Sequence, residues 1–177
     1  MEMTHYMELL ASNQPWNLIL FMAIPVVLAE TVAITELAIL FQGKKSGLAG
    51  TINRMAGIIG GWYFLGIFIY LFSNVVIPLS STGGWRGIAD IIAVSFYLLG
   101  VIPLMGMALI DMNLLAGSRS EHYKLKLHAI FVATFLVVAH IAMIFGMLNP
   151  SILGYKAESS MPMEMNNMDM NMNHSIN

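Results

Sequence analysis

Residues 127–148 read LHAIFVATFLVVAHIAMIFGML, an apolar run without a single Asp, Glu, Lys or Arg. A helix of about 20 such residues spans the roughly 30 Å of hydrocarbon in a lipid bilayer. In lipid the run must be helical, because every backbone N–H and C=O group needs a partner within the protein. Three further runs have a similar length, over residues 17–42, 55–79 and 87–115. The sequence therefore predicts an all-α integral membrane protein, with a bundle of four transmembrane helices over residues 17–148.

Composition excludes the other broad classes of protein. The 177 residues are 58% hydrophobic and only 10% charged, whereas soluble domains carry about 25% charged residues. Disorder over most of the chain is excluded as well, since it requires low hydrophobicity and high charge. A net charge of −2 leaves no basic surface for nucleic acid. The lipid bilayer is the partner that the composition predicts.

The basic residues between the apolar runs predict the orientation of the chain. They are frequent in the first and third connections and rare in the second, which holds only Arg86. Connections rich in Lys and Arg stay in the cytoplasm. Residues 1–16 contain no Lys or Arg, so the basic start of a cleavable signal peptide is missing. We expect a multi-pass protein of a bacterial inner (plasma) membrane with both termini extracytoplasmic.

The C-terminal segment, residues 149–177, differs from the rest of the chain. It ends in MPMEMNNMDMNMNHSIN over residues 161–177, without the period of a helix or a strand. We expect a disordered Met-rich tail. Thioethers are soft ligands that select Cu(I), and a chain with 16 Met and no Cys avoids disulfide formation in an oxidising compartment. The predicted copper ligands in the tail are Met161, Met163, Met165, Met168, Met170, Met172 and His174.

A second cluster of the same residue types opens the chain, which begins MEMTHYM. The predicted topology places this segment, residues 1–16, on the same side of the membrane as the tail. Two interpretations remain open, namely a capture site for Cu(I) and the start of an interfacial helix. The candidate copper ligands in this segment are Met1, Met3, His5 and Met7.

Ionisable residues within the bilayer are costly and indicate function by default. The rise of 1.5 Å per residue places Glu30 and His140 near the midplane, where they are expected to pair. It places Glu36, Asp111 and His128 together near the cytoplasmic end. This intramembrane polar path, Glu30, Glu36, Asp111 and His128, is a candidate route for protons. Asp90 is expected at the outer interface, in contact with water.

One helix face is directed from the midplane towards the tail. His140, Met143 and Met147 follow at i, i+3 and i+7 and share a stripe. Together with Met22 on the first helix, this stripe is a candidate path for a soft ion between the tail and Glu30. The alternative is ordinary packing, for which Met is well suited.

A pair of glycines on the second helix predicts a close contact between helices. Gly57 and Gly61 form the Gly-x-x-x-Gly pattern, which lets two backbones approach. The contact serves either the bundle itself or a homo-oligomer.

These motifs resemble the high-affinity Cu(I) transporter family of eukaryotes. The resemblance rests on the Met-rich segment 161–172, on Met143 with Met147 and on Gly57 with Gly61. It implies Cu(I) transport by an oligomer whose pore is lined with Met rings. The tail also looks like the Met-rich segments of bacterial periplasmic copper-resistance proteins, and the body looks like small four-span bacterial inner-membrane proteins.

The favoured function is a copper-handling membrane protein that captures Cu(I) outside the cytoplasm. It would transport the ion or deliver it to a partner such as a copper enzyme. One alternative is an electron carrier for quinone or with haem b, since haem iron accepts His and Met ligands. Another is a non-catalytic accessory subunit of a larger membrane complex. No nucleophile–base pair and no nucleotide-binding motif are evident, so we do not expect an enzyme.

Overall fold

The computed structural model describes residues 3–43, 47–115 and 118–153. A short helix, α1, comes first, and four helices long and apolar enough to cross a membrane follow it. Their bounds confirm the predicted all-α, four-helix membrane architecture. The helices are α1 (His5–Ala11), α2 (Trp16–Gln42), α3 (Leu48–Thr82), α4 (Ile88–Asp111) and α5 (Glu121–Met147).

The four long helices run alternately up and down, and each packs against two others in the cyclic order α2, α3, α4, α5. The connections between α2 and α3 and between α4 and α5 lie at one end, here called the connection end. The beginning of α2, α1 and the last residues of α5 lie at the other, here called the terminal end. Helices α3 and α5 begin seven and six residues before the predicted starts at 55 and 127, because their first turns contain polar and charged residues, which interrupt an apolar run.

Proline residues account for the irregular turns of the helices. Pro25 follows a π-helical turn over Ile19–Ala23, and Pro78 follows another over Phe72–Val76. Pro25 has no N–H group for the carbonyl of Phe21 one turn earlier. The hydroxyl of Tyr97 on α4 donates a hydrogen bond to that carbonyl instead. A backbone group that lipid would leave unsatisfied is thus paired within the bundle.

The predicted close contact at the Gly-x-x-x-Gly pattern is confirmed, and it lies within the chain. A Cβ atom added at Gly61 would lie 2.7 Å from the carbonyl oxygen of Leu104 and 2.5 Å from the Cβ atom of Ala108. A side chain at this position is therefore incompatible with the packing of α3 on α4. The glycines serve the bundle itself in this structure.

Helix α1 is held across the terminal end by its first residues. Thr4 Oγ1 accepts a hydrogen bond from the N–H of Met7 (3.3 Å) and donates one to the carbonyl of Gly146 on α5 (2.6 Å). Tyr6 packs against Gly146, where an added Cβ atom would lie 2.5 Å from its ring. The segment is thus helical, and the capture of Cu(I) by its Met and His residues stays a prediction.

The predicted flexible segment begins with an ordered turn. Pro150–Leu153 form a 3-10 helix in which Pro150 is buried, because the chain is still packed against α4 at this point. All the predicted copper ligands of the tail lie outside the described residues.

Candidate functional site

A cavity of about 220 Å³ lies between α2 and α5 in the terminal half of the bundle. It brings together soft and ionisable side chains that are distant in sequence. Two thioethers, one imidazole and one carboxylate line it, from Met22, Met143, His140 and Glu30. The rest of the wall is mainly aromatic and aliphatic, with Tyr6 of α1 and Tyr97 of α4 at its side. We call this space the terminal cavity.

The imidazole of His140 has a defined proton arrangement. Its Nδ1 lies 2.6 Å from the carbonyl oxygen of Leu136. A carbonyl oxygen only accepts hydrogen bonds, so Nδ1 carries the proton and Nε2 of the neutral ring keeps a free lone pair. Histidines that bind metals commonly donate their other N–H to a backbone carbonyl in this way.

The predicted ion pair between Glu30 and His140 is not formed. Both side chains line the terminal cavity, yet in the described part of the chain no ion pair or hydrogen bond joins them. The prediction was wrong in this respect because sequence spacing gives the depth of a residue and not its lateral distance to another helix. Glu30 is left as a carboxylate inside a membrane span without a bonded partner among the described residues.

The last residue of the predicted stripe on α5 lies outside the terminal cavity. Met143 lines the terminal cavity, whereas Met147 is 70% exposed and does not. Of the candidate ligands on the N-terminal segment, Met3 is exposed and Met7 packs partly buried against the core. Met1 lies outside the described residues.

Asp90 is fully buried, which corrects the expectation that water surrounds it. Its carboxylate accepts hydrogen bonds from the backbone N–H of His5 (2.7 Å) and of Arg86 (3.3 Å), and it pairs with Nδ1 of His5 (2.6 Å). The sequence did not predict this contact, because no pattern in it indicated that α1 covers this end. His5 is thus engaged with a carboxylate.

Arg86 also holds α1 in place. It donates to the carbonyl of Met3 (2.7 Å) and pairs with Glu8 (2.8 Å). The neighbouring Tyr6 is buried, and burial raises the pKa of its phenol to about 12. This phenol, which lines the terminal cavity, is therefore neutral at physiological pH.

A second group of ionisable residues lies at the connection end, as the depth of each residue predicted. Nδ1 of His128 is 2.8 Å from Oε1 of Glu36, and its Nε2 is 3.3 Å from Oδ2 of Asp111. All three side chains are buried. We call Glu36, Asp111 and His128 the buried triad.

Gly57 makes room for the buried triad. A Cβ atom at this position would lie 2.3 Å from Oδ2 of Asp111 and 3.6 Å from Cε1 of His128. The Gly-x-x-x-Gly pattern predicted a close approach of helices here, but nothing in the pattern indicated that the approaching group is a carboxylate.

The arrangement of the carboxylates and imidazoles does not indicate a site for a hard metal ion. Within residues 3–43, 47–115 and 118–153, no three His, Cys, Asp or Glu side chains are placed to hold one. In the buried triad both ring nitrogens of His128 already face carboxylates. The terminal cavity, by contrast, adds thioethers to a free imidazole nitrogen, a donor set suited to a soft ion.

Comparison with known proteins identifies the family. The chain belongs to the family of unknown function DUF6803. The family model matches residues 1–162, which include α1, the four long helices, the terminal cavity and the buried triad. The tail methionines after Met161 lie beyond the match. No curated protein and no solved structure matches the chain.

Proposed function

We propose that this protein handles copper in a bacterial inner membrane and binds Cu(I) in the terminal cavity. In this proposal both termini are extracytoplasmic, and the Met-rich tail captures the ion from outside. The bound ion is then delivered to a partner such as a copper enzyme. The observation that carries the proposal is the meeting of Met22, Met143 and His140 around one cavity.

The donor set of the cavity supports the choice of metal. Thioethers bind Cu(I) without losing a proton, and imidazole binds it through a neutral nitrogen. The lone pair on Nε2 of His140 is available because Nδ1 donates to Leu136. Ag(I) has the same preference for sulfur and is a convenient substitute in experiments.

Charge supports the same assignment. A lone carboxylate within a membrane span is costly, and Glu30 has no bonded partner among the described residues. A monovalent cation in the cavity brings a charge of +1 beside this carboxylate. Binding of Cu(I) would therefore neutralise Glu30, which the two thioethers and the imidazole cannot do.

Packing below the cavity favours delivery at the terminal side over passage through the bundle. A layer of apolar side chains separates the terminal cavity from the buried triad. Its members come from all four long helices and belong to one buried cluster: Val32, Phe64, Leu104, Met107, Val132 and Phe135, each at most 4% exposed. An ion crossing this layer would meet one thioether, that of Met107, and neither an imidazole nor a carboxylate among the residues of the layer.

The test is Cu(I) stoichiometry and affinity, measured by competition with a chromophoric chelator under reducing conditions. Full-length protein is compared with a chain cut after Ala157 and with the variants Met143→Leu and His140→Leu. Leu replaces Met with little change in volume. Truncation should remove several ions and leave about one. Each cavity variant should weaken that remaining site by at least about tenfold, since even residues around metal ligands contribute 10- to 100-fold.

Met112→Leu is the matched control, because Met112 lies at the connection end and does not line the terminal cavity. It should bind as the wild type does. Complete loss of copper on truncation would contradict the cavity site and favour an accessory subunit with a copper-buffering tail. No copper in either chain would overturn the proposal, and a Soret band in the absorption spectrum would then favour haem b.

A further inference from the structure

A water-accessible space leads from the connection end towards the buried triad. This vestibule has a volume of about 580 Å³ and lies among α3, α4 and α5. Asp111 belongs both to its lining and to the triad. The other polar groups of its wall include Arg54 of α3 and Lys124 of α5. Glu36 and His128 do not line it, so Asp111 is the member of the triad that reaches the vestibule.

The net charge of the buried triad depends on how many protons it holds. With both carboxylates ionised and His128 neutral, its charge is −2, and the first and second protons bring it to −1 and 0. Burying net charge costs several kcal/mol unless it is compensated. The free-energy cost of the charged states therefore falls when water reaches Asp111.

Neighbouring groups do not supply the missing positive charge. Lys124 is held by Asn113 Oδ1 and Glu121 Oε1, each 3.1 Å from its Nζ. Asn53 of α3 is neutral and donates to α2, to the carbonyl of Val32 and to Thr35 Oγ1. Arg54 is exposed in the vestibule. Among the described residues, no cation other than His128 forms an ion pair with Glu36 or Asp111.

Within the buried triad, His128 is bonded more weakly to Asp111 than to Glu36. Oδ2 of Asp111 and Nε2 of His128 are 3.3 Å apart, yet both atoms are buried without a well-aligned hydrogen bond. Glu36, in contrast, is hydrogen-bonded to Nδ1 at 2.8 Å. A proton on Asp111 is thus held by fewer interactions than a proton between Glu36 and His128.

We propose that the buried triad is a proton-exchange site that is loaded and unloaded through Asp111 from the vestibule. A hydronium ion in the vestibule gives its proton to the carboxylate of Asp111, which leaves water and a neutral carboxyl group, and on unloading the proton passes back to a vestibule water to form hydronium. The apolar layer below the terminal cavity closes the other side. This inference does not depend on the binding of copper.

The test is infrared difference spectroscopy of full-length, metal-free protein in lipid nanodiscs, cycled between acidic and neutral pH. Separate samples carry a ¹³C label in the side-chain carboxyl of Asp or of Glu. We expect a reversible carbonyl-stretch band of a protonated carboxylic acid, equivalent to about one proton per chain. The band should shift in the Asp-labelled sample and in D₂O. All Asp-labelled samples carry Asp169→Asn, so that Asp90 and Asp111 are the remaining Asp residues, and Asp111→Asn should abolish the labelled band.

Asp90→Asn is the matched control, since Asp90 is also buried but pairs with His5 at the terminal end. It should leave the band in place. With Asp90→Asn and Asp169→Asn together, Asp111 is the one Asp left in the sequence, so a labelled band in this protein keeps the test independent of whether Asp111→Asn folds. Absence of a reversible Asp band in the wild type would overturn the proposal, as would a band that Asp90→Asn removes.

Discussion

At the terminal end of the bundle Glu30 and His140 line a cavity without bonding to each other, whereas at the connection end Glu36 and Asp111 enclose His128. Both groups combine carboxylate and imidazole within membrane spans. At the connection end the absence of a side chain at Gly57 lets the groups meet. At the terminal end the aromatic rings of Tyr97 and Phe135 form part of the wall and leave a space. The same residue types therefore give a closed ionic cluster in one place and an open donor set in the other.

Removal of the central imidazole should have the largest effect on stability. His128→Leu leaves Glu36 and Asp111 buried without their common partner, and breaking a buried ion pair costs about 3–5 kcal/mol. The measurement is the free energy of unfolding in mixed micelles. His140→Leu is the control on the same helix, and because His140 is exposed its effect should stay within about 0.5 kcal/mol. Equal losses of unfolding free energy in the two variants would contradict the difference between the buried triad and the terminal cavity.

Release of α1 should have an intermediate effect and open the terminal cavity. Asp90→Asn weakens the contacts to His5, and hydrogen bonds to a charged group contribute about 1.5–3 kcal/mol. Amide hydrogen exchange in α1 should accelerate, while exchange in the middle of α3 stays unchanged. Glu8→Gln is the control, since the exposed pair of Glu8 with Arg86 contributes about 0–1 kcal/mol. Unchanged exchange in Asp90→Asn would show that other contacts hold α1.

The smallest effect on stability is expected at Tyr97, whose hydroxyl donates the hydrogen bond that Pro25 cannot donate. Tyr97→Phe leaves the carbonyl of Phe21 without its partner and should cost about 1 kcal/mol of unfolding free energy. Pro25→Ala restores a backbone N–H in α2. In a double-mutant cycle Tyr97→Phe should therefore cost less in the Pro25→Ala background. Additive losses would mean that the hydroxyl does not compensate for the proline.

Much of the architecture could be predicted from the sequence, because a bilayer allows few solutions. Apolar runs longer than about 20 residues must form helices there, and Gly57 with Gly61 indicated a close contact between them. The depth of Glu36, Asp111 and His128 followed from the rise per residue. The docking of α1 on Asp90 was missed, since a seven-residue helix has too short a pattern to predict its partner.

The sequence by itself determined that the chain has four membrane helices and at which depth each ionisable residue lies, because both depend on the spacing of residues along one helix. Only the tertiary structure decided which of these residues meet, because lateral distance depends on the volume of side chains on neighbouring helices. It placed His128 between two carboxylates and left Glu30 and His140 in the wall of one cavity with Met22 and Met143.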